Sequence, residues 1–236
     1  NSATIGVRMI AFTKASKLYA DQQLKKIGLL HNEALIVIFL MFVPVVVWIA
    51  YHSSQIVELL FMRGNFTSDM HHLVTMALLG LLPSVIARSA SQIMMNVFYA
   101  MNKVAVPIIL GVGGTFLYLL CAYPLSNAYG VLGLALGQSI LFIVSFFVLI
   151  FLLNKELEWF SVSKVLGQLF FYLLASGVLV WVAAYIAELF QVHAIFQLMI
   201  SFILASLLYI GLLAVMKDYG FMYLKDKLFD RVGNKK

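Results

Sequence analysis

The sequence predicts an all-α protein, a polytopic transmembrane helical bundle of about six spans. Three observations carry that reading. The chain is 63% hydrophobic with a mean hydropathy of +1.00, and only 11% of its 236 residues are charged. Its charge-free runs match or exceed the ~20 residues that cross ~30 Å of hydrocarbon. Its lysines and arginines gather almost wholly at one set of span ends.

The runs place spans near residues 34–54, 71–99, 104–123, 130–153, 165–187 and 194–216. Nothing is charged between Glu33 and Glu58, and Arg88 is the only charge between Asp69 and Lys103. Residues 104–154 are uncharged throughout, too many for one span. Tyr123-Pro124-Leu125-Ser126-Asn127 reads as the turn that divides them. Four parts follow. Residues 1–33 hold the end of a truncated helix (5–12) and a basic surface helix (14–30). Residues 34–153 hold four spans, 154–216 a final pair, and 217–236 a basic tail. Because the chain begins with Asn1 rather than Met, it reads as the C-terminal part of something longer.

An even number of spans puts both ends on one side. Fourteen of the Lys and Arg lie on that side, against Arg63 alone on the other. Positive charge marks the cytoplasmic side, so both ends are expected there. The net charge of +6 then reflects attraction to an anionic inner leaflet. Nucleic acid is not an expected partner.

Arg88 is the one charge placed inside a span. On an insertion scale an arginine at a helix centre costs about 2.5–3.5 kcal/mol, so its guanidinium should face protein or a wet cavity. Ser84, Arg88, Gln92 and Asn96 recur every four residues and share a helix face. Pro83 precedes them at a potential kink. Two readings are open, hydrogen bonding between helices or a cavity wall. Four polar groups in register around an arginine favour the wall, and these four are the candidate substrate-cavity residues.

The last two spans are bulky and aromatic. Phe171, Trp181, Phe202 and Tyr209 are candidates for a groove that takes an acyl or isoprenoid chain, with plain lipid contact as the alternative. Gly133 and Gly137 form a small-xxx-small face for close backbone approach, and isolated groups such as Ser139, Ser176 and Ser201 read as interhelical hydrogen-bond partners. His71-His72 lacks ligands at usable spacing, so no metal site is expected. Cys121 is the only cysteine and can form no intrachain disulfide. Asn65-Phe66-Thr67 fits a glycosylation triplet, which is common by chance. There is no Ser-His-Asp arrangement, no acidic pair within a span and no phosphate-cradling glycine loop. No catalytic residue and no cofactor are therefore expected, and coupling to the membrane potential or to an ion is left open.

Several short motifs add a family resemblance by their order and spacing. Lys14-Ala15-Ser16-Lys17 is followed by Ala20-Asp21. Then come Leu59-Leu60-Phe61 with Gly64, Phe66-Thr67 and Asp69, a helix ending in Phe98-Tyr99-Ala100, Pro107, and Gly133-Leu134-Ala135-Leu136. Over most of residues 7–153 this resembles the MurJ/MviN family, the lipid II flippases of the multidrug, oligosaccharidyl-lipid and polysaccharide exporter superfamily. The resemblance implies two lobes that open alternately to either side of the bacterial inner membrane. This chain would hold most of the second lobe plus a C-terminal helix pair. The implied substrate is an undecaprenyl-diphosphate-linked saccharide with its tail in a groove framed by that pair. Membrane lipids and a missing N-terminal lobe of the same protein are the implied partners, with the main head-group arginines upstream. Lys103 stands where many members carry an acidic residue, and Gln92 and Asn96 where basic residues are frequent, which leaves the saccharide open. A cation-coupled exporter of small amphipathic molecules and a non-transporting scaffold of a saccharide-assembly complex are the alternatives. Alone, these six helices are expected to transport poorly.

Overall fold

The computed structural model describes residues 12–61, 65–157, 160–190, 192–222 and 224. The helix end expected at 5–12 (all but its last residue), Arg63 and the tail from 225 onward lie outside the described residues. Helix α1 covers residues 12–20. The others are α2 (Leu24–Tyr51), α3 (Ser53–Phe61), α4 (Ser68–Ala100), α5 (Ala105–Tyr129), α6 (Val131–Glu156), α7 (Val162–Leu189) and α8 (Ala194–Val215). Among the described residues there is no strand, and α2 together with α4–α8 makes six helices long and apolar enough to cross a membrane.

Two boundaries differ from expectation. The surface helix read at 14–30 is broken: the backbone turns with Gln22 at φ 56°, and α2 starts at Leu24. Ile27, His31 and Leu35 are buried along one side of α2. That side of the stretch is therefore packed against protein, at the start of a helix ~42 Å long. The second difference is the turn expected at 123–127. Helix α5 runs on to Tyr129 with Pro124 inside it, and the reversal falls at Gly130, φ 58° and ψ −130°, where a side chain is strongly disfavoured. Ser126 donates its hydroxyl to the Tyr123 carbonyl at 2.9 Å within the same last turns.

Helix α4 packs along α6, α6 along α5, and α2 along both α4 and α7, with α8 laid against α7. Phe39, Ile93, Met94, Phe98, Leu149 and Tyr172 fill the shared core. Close approaches rest on small residues. A Cβ on Gly133 would lie 2.0 Å from the Leu125 carbonyl oxygen, and one on Gly137 3.1 Å from Ala122 Cα, so both glycines seat α6 on α5. Gly80 does the same for α4, where its carbonyl also accepts the Ser139 hydroxyl at 2.5 Å. Thr67, the last residue of the glycosylation-like triplet, caps α4 by accepting from the Met70 amide at 3.4 Å. Apolar side chains such as Ile109, Phe116 and Leu120 cover the outside of α5, as a lipid-facing surface requires.

Beyond α8 the chain turns at Lys217 (φ 49°) and folds back over the bundle. The buried Asp218 carboxylate accepts from Tyr172 Oη at 2.8 Å, the Gly220 amide at 2.9 Å and the Phe221 amide at 3.1 Å. Tyr219 donates its hydroxyl to Glu33 at 3.0 Å, and Lys164 Nζ sits 3.6 Å from its ring centroid. Residues 217–222 and 224, expected within a basic tail, thus form a strap across α2 and α7. Asp218→Ala would strand three donors, and hydrogen bonds to a charged group are worth about 1.5–3 kcal/mol. A clear fall in the thermal midpoint of the detergent-solubilised protein is expected; an unchanged midpoint would show that the strap contributes nothing.

Candidate functional site

The polar stripe lies on the part of α4 that follows Pro83. The structure does not hold its four residues on one open wall. Arg88 is exposed, its guanidinium carbon 5.2 Å from the centroid of Phe142 on α6, a cation–π distance. Gln92 is half-buried. Ser84 is buried and donates to the Leu81 carbonyl of its own helix at 2.5 Å, and Asn96 is buried as well. The reason is helical pitch. Each four-residue step overshoots a turn by ~40°, so Ser84 and Asn96 point ~120° apart.

Two apolar cavities lie end to end along α2 and α8. The first, about 340 Å³, is lined by Leu40, Met41, Trp48, Phe202, Tyr209 and Leu213 among others, with Phe221 and Leu224 of the strap at its lysine-rich end. The second, about 870 Å³, lies beyond Trp48 and Phe202 between α2, α3, α4 and α8. Phe202 and Tyr209 therefore line a groove. Phe171 and Trp181 border neither of these two cavities: Phe171 is half-buried beside Tyr172, and Trp181 is exposed and stacked on Tyr185 at 6.3 Å. Composition marks α7 and α8 alike as aromatic, and only the packing decides which rings turn inward.

A polar chain at the junction of the two cavities escaped the sequence reading. Trp48 Nε1 donates to Ser201 Oγ at 3.2 Å, and Ser201 is bonded to His52 Nε2 at 2.8 Å. His52 Nδ1 meets Gln55 Oε1 at 2.7 Å. These partners assign the tautomer: Nδ1–H donates to the Gln55 carbonyl, so Nε2 accepts the Ser201 hydroxyl. Trp48 and His52 stand one turn apart near a span end, a detectable pairing, but Ser201 joins them from 149 residues away. His52, just past α2, is held below its ordinary value of 6.5, first by burial, with the Gln55 hydrogen bond and Glu188 opposing. The unfolded chain therefore binds this proton more readily than the folded one. Stability tied to neutral His52 is present above about pH 6.5 and is lost as pH falls below it. His52→Gln should flatten the acid side of the midpoint-versus-pH curve; an unaltered acid slope would exclude His52 as its source.

Among the described residues no group of three or more His, Cys, Asp or Glu could hold a metal ion. The model of the family described as "Lipid II flippase MurJ" matches residues 3–217. The chain belongs to the MurJ family. No curated protein matches the sequence. Among solved structures, one titled "Lipid II flippase MurJ, inward closed conformation" aligns with a TM-score of 0.69 at 16% identity. That alignment covers 90% of this chain and 44% of that one, so the chain spans less than half the length of the MurJ structure it matches. The helical bundle is a MurJ-like fold, and its six span-length helices are those of a multi-pass membrane protein.

Proposed function

We propose that the chain is part of a flippase that carries an undecaprenyl-diphosphate-linked saccharide, lipid II or a related precursor, across the bacterial inner membrane by alternating access. The family match over residues 3–217 is the observation that carries this reading. The division of polar and apolar surface supports it, because such a lipid joins an anionic head to a long hydrocarbon tail. Arg88, exposed beside Phe142, offers a planar fork for charge-assisted bonds to phosphate oxygens. Gln92, one turn on, is placed for a sugar hydroxyl. Ser84 and Asn96 act behind them, setting how α4 sits in the bundle. The groove walled by Phe202 and Tyr209 takes the tail.

In this reading a complementary lobe of the same protein supplies the facing wall and further cationic residues. The lysine-rich end, with both chain ends, faces the cytoplasm. The membrane potential or an ion drives the cycle. The test is reconstitution of the intact protein in liposomes with fluorescent lipid II and with other undecaprenyl-linked saccharides, scoring head-group exposure to an impermeant quencher. Flipping of at least one of them is expected. No flipping of any would overturn the proposal.

A further inference from the structure

We propose that the Trp48–Phe202 ring pair is a partition that sets how far a hydrocarbon chain can advance along α2 and α8, and hence which chain lengths the protein accepts. This rests on the reading that the first groove holds an isoprenoid tail. The geometry of the two cavities leads to it. Helices α2 and α8 run antiparallel, and the first cavity follows α2 from Leu40 to Trp48 and α8 from Leu213 back to Phe202. The second continues past the same two residues to Ile56 on α3 and Ile195 on α8. Trp48 and Phe202 border both cavities, so the two lie in one line, interrupted by two rings.

The rings meet edge to face, centroids 5.1 Å apart at 74°, an arrangement aromatic pairs favour. Their anchoring is unequal. Trp48 is tied through its indole N–H to Ser201, which is fully buried and itself tied to His52. Swinging the indole away would leave that N–H unpaired in an apolar setting, a costly loss. Phe202 has no polar group to anchor it and is 41% exposed. Trp48 is therefore the fixed post and Phe202 the movable leaf. The lining on either side is otherwise mainly aliphatic, so a tail meets only dispersion contacts until it reaches the pair.

The experiment uses the intact protein in nanodiscs with polyprenyl diphosphates of short and long chain, each carrying a photoreactive diazirine at its far end. Labelled residues are mapped by mass spectrometry. With the native rings, label from both lengths is expected on the Met41 and Ile210 side. In Trp48→Ala and Phe202→Ala, long-chain label at Ile195 and Met199 should rise severalfold. Ser201→Ala keeps both rings and removes the post's anchor together with the His52 bond; it should shift label in the same direction, which guards against misfolding of the ring variants. Equal label on both sides with native rings would overturn the partition, as would long-chain label that stays on the Met41 side in all three variants. Label in neither cavity would overturn the groove reading itself.

Discussion

Arg88→Ala is expected to lower transport of a diphosphate-linked lipid about 10- to 100-fold while leaving membrane abundance intact. The estimate follows from charge-assisted hydrogen bonds worth about 1.5–3 kcal/mol, each 1.36 kcal/mol being a factor of about ten. Abundance should hold because the side chain is exposed and its contact with the Phe142 ring is a weak one, on the order of 0.5–1 kcal/mol at such sites. Arg88→Lys keeps the charge but not the planar fork, and should recover part of the activity. The measurement is initial flipping rate at matched protein level. An alanine variant as fast as the native protein would remove Arg88 from the site.

Gly133→Ala is the second large effect, and it acts on assembly rather than on ligand. The added methyl would sit 2.0 Å from the Leu125 carbonyl oxygen and 2.2 Å from its carbon. Backbone cannot swing aside as a flexible side chain does, so α5 and α6 must separate. Overpacking of this kind costs about 1–3 kcal/mol or more, and here it also loosens the reversal at Gly130. A lower thermal midpoint and reduced membrane abundance are expected. Gly111→Ala is the matched control, since nothing lies within 4 Å of its added Cβ. Equal midpoints for the two variants would show that the α5–α6 approach is not tight.

Span number and order were legible because hydrocarbon thickness imposes a length that charge-free runs report directly. The errors have local causes. Pro124 carries a turn signature, yet in lipid a helix that continues past a proline leaves fewer backbone groups unpaired than a loop would. Residues 24–30 read as part of a surface helix because Lys25 and Lys26 sit among apolar residues there, and nothing in that mix says that Ile27 faces protein. The stripe around Arg88 was legible as register, but which of its members are exposed was not, since a four-residue period drifts around the helix. The Trp48–Ser201–His52 chain was not legible, because its members come from opposite ends of the sequence and each alone is an ordinary residue near a span end.

Three of the long helices carry an internal proline: Pro44 in α2, Pro83 in α4 and Pro124 in α5. Each deletes one rung of the backbone ladder, that of the carbonyl four residues earlier. Leu40 with Pro44 borders the first groove, and Leu79 with Pro83 borders a cavity of about 380 Å³ between α2, α4, α6 and α7. In α2 and α4 the missing rung thus coincides with empty space. Mechanical compliance is concentrated where side chains have room to follow a bend, so thermal flexing of these two rods is localised rather than spread along their length. Amide deuteration should report it as two narrow bands of fast exchange, one at residues 40–44 of α2 and one at 79–83 of α4, within otherwise slow helices.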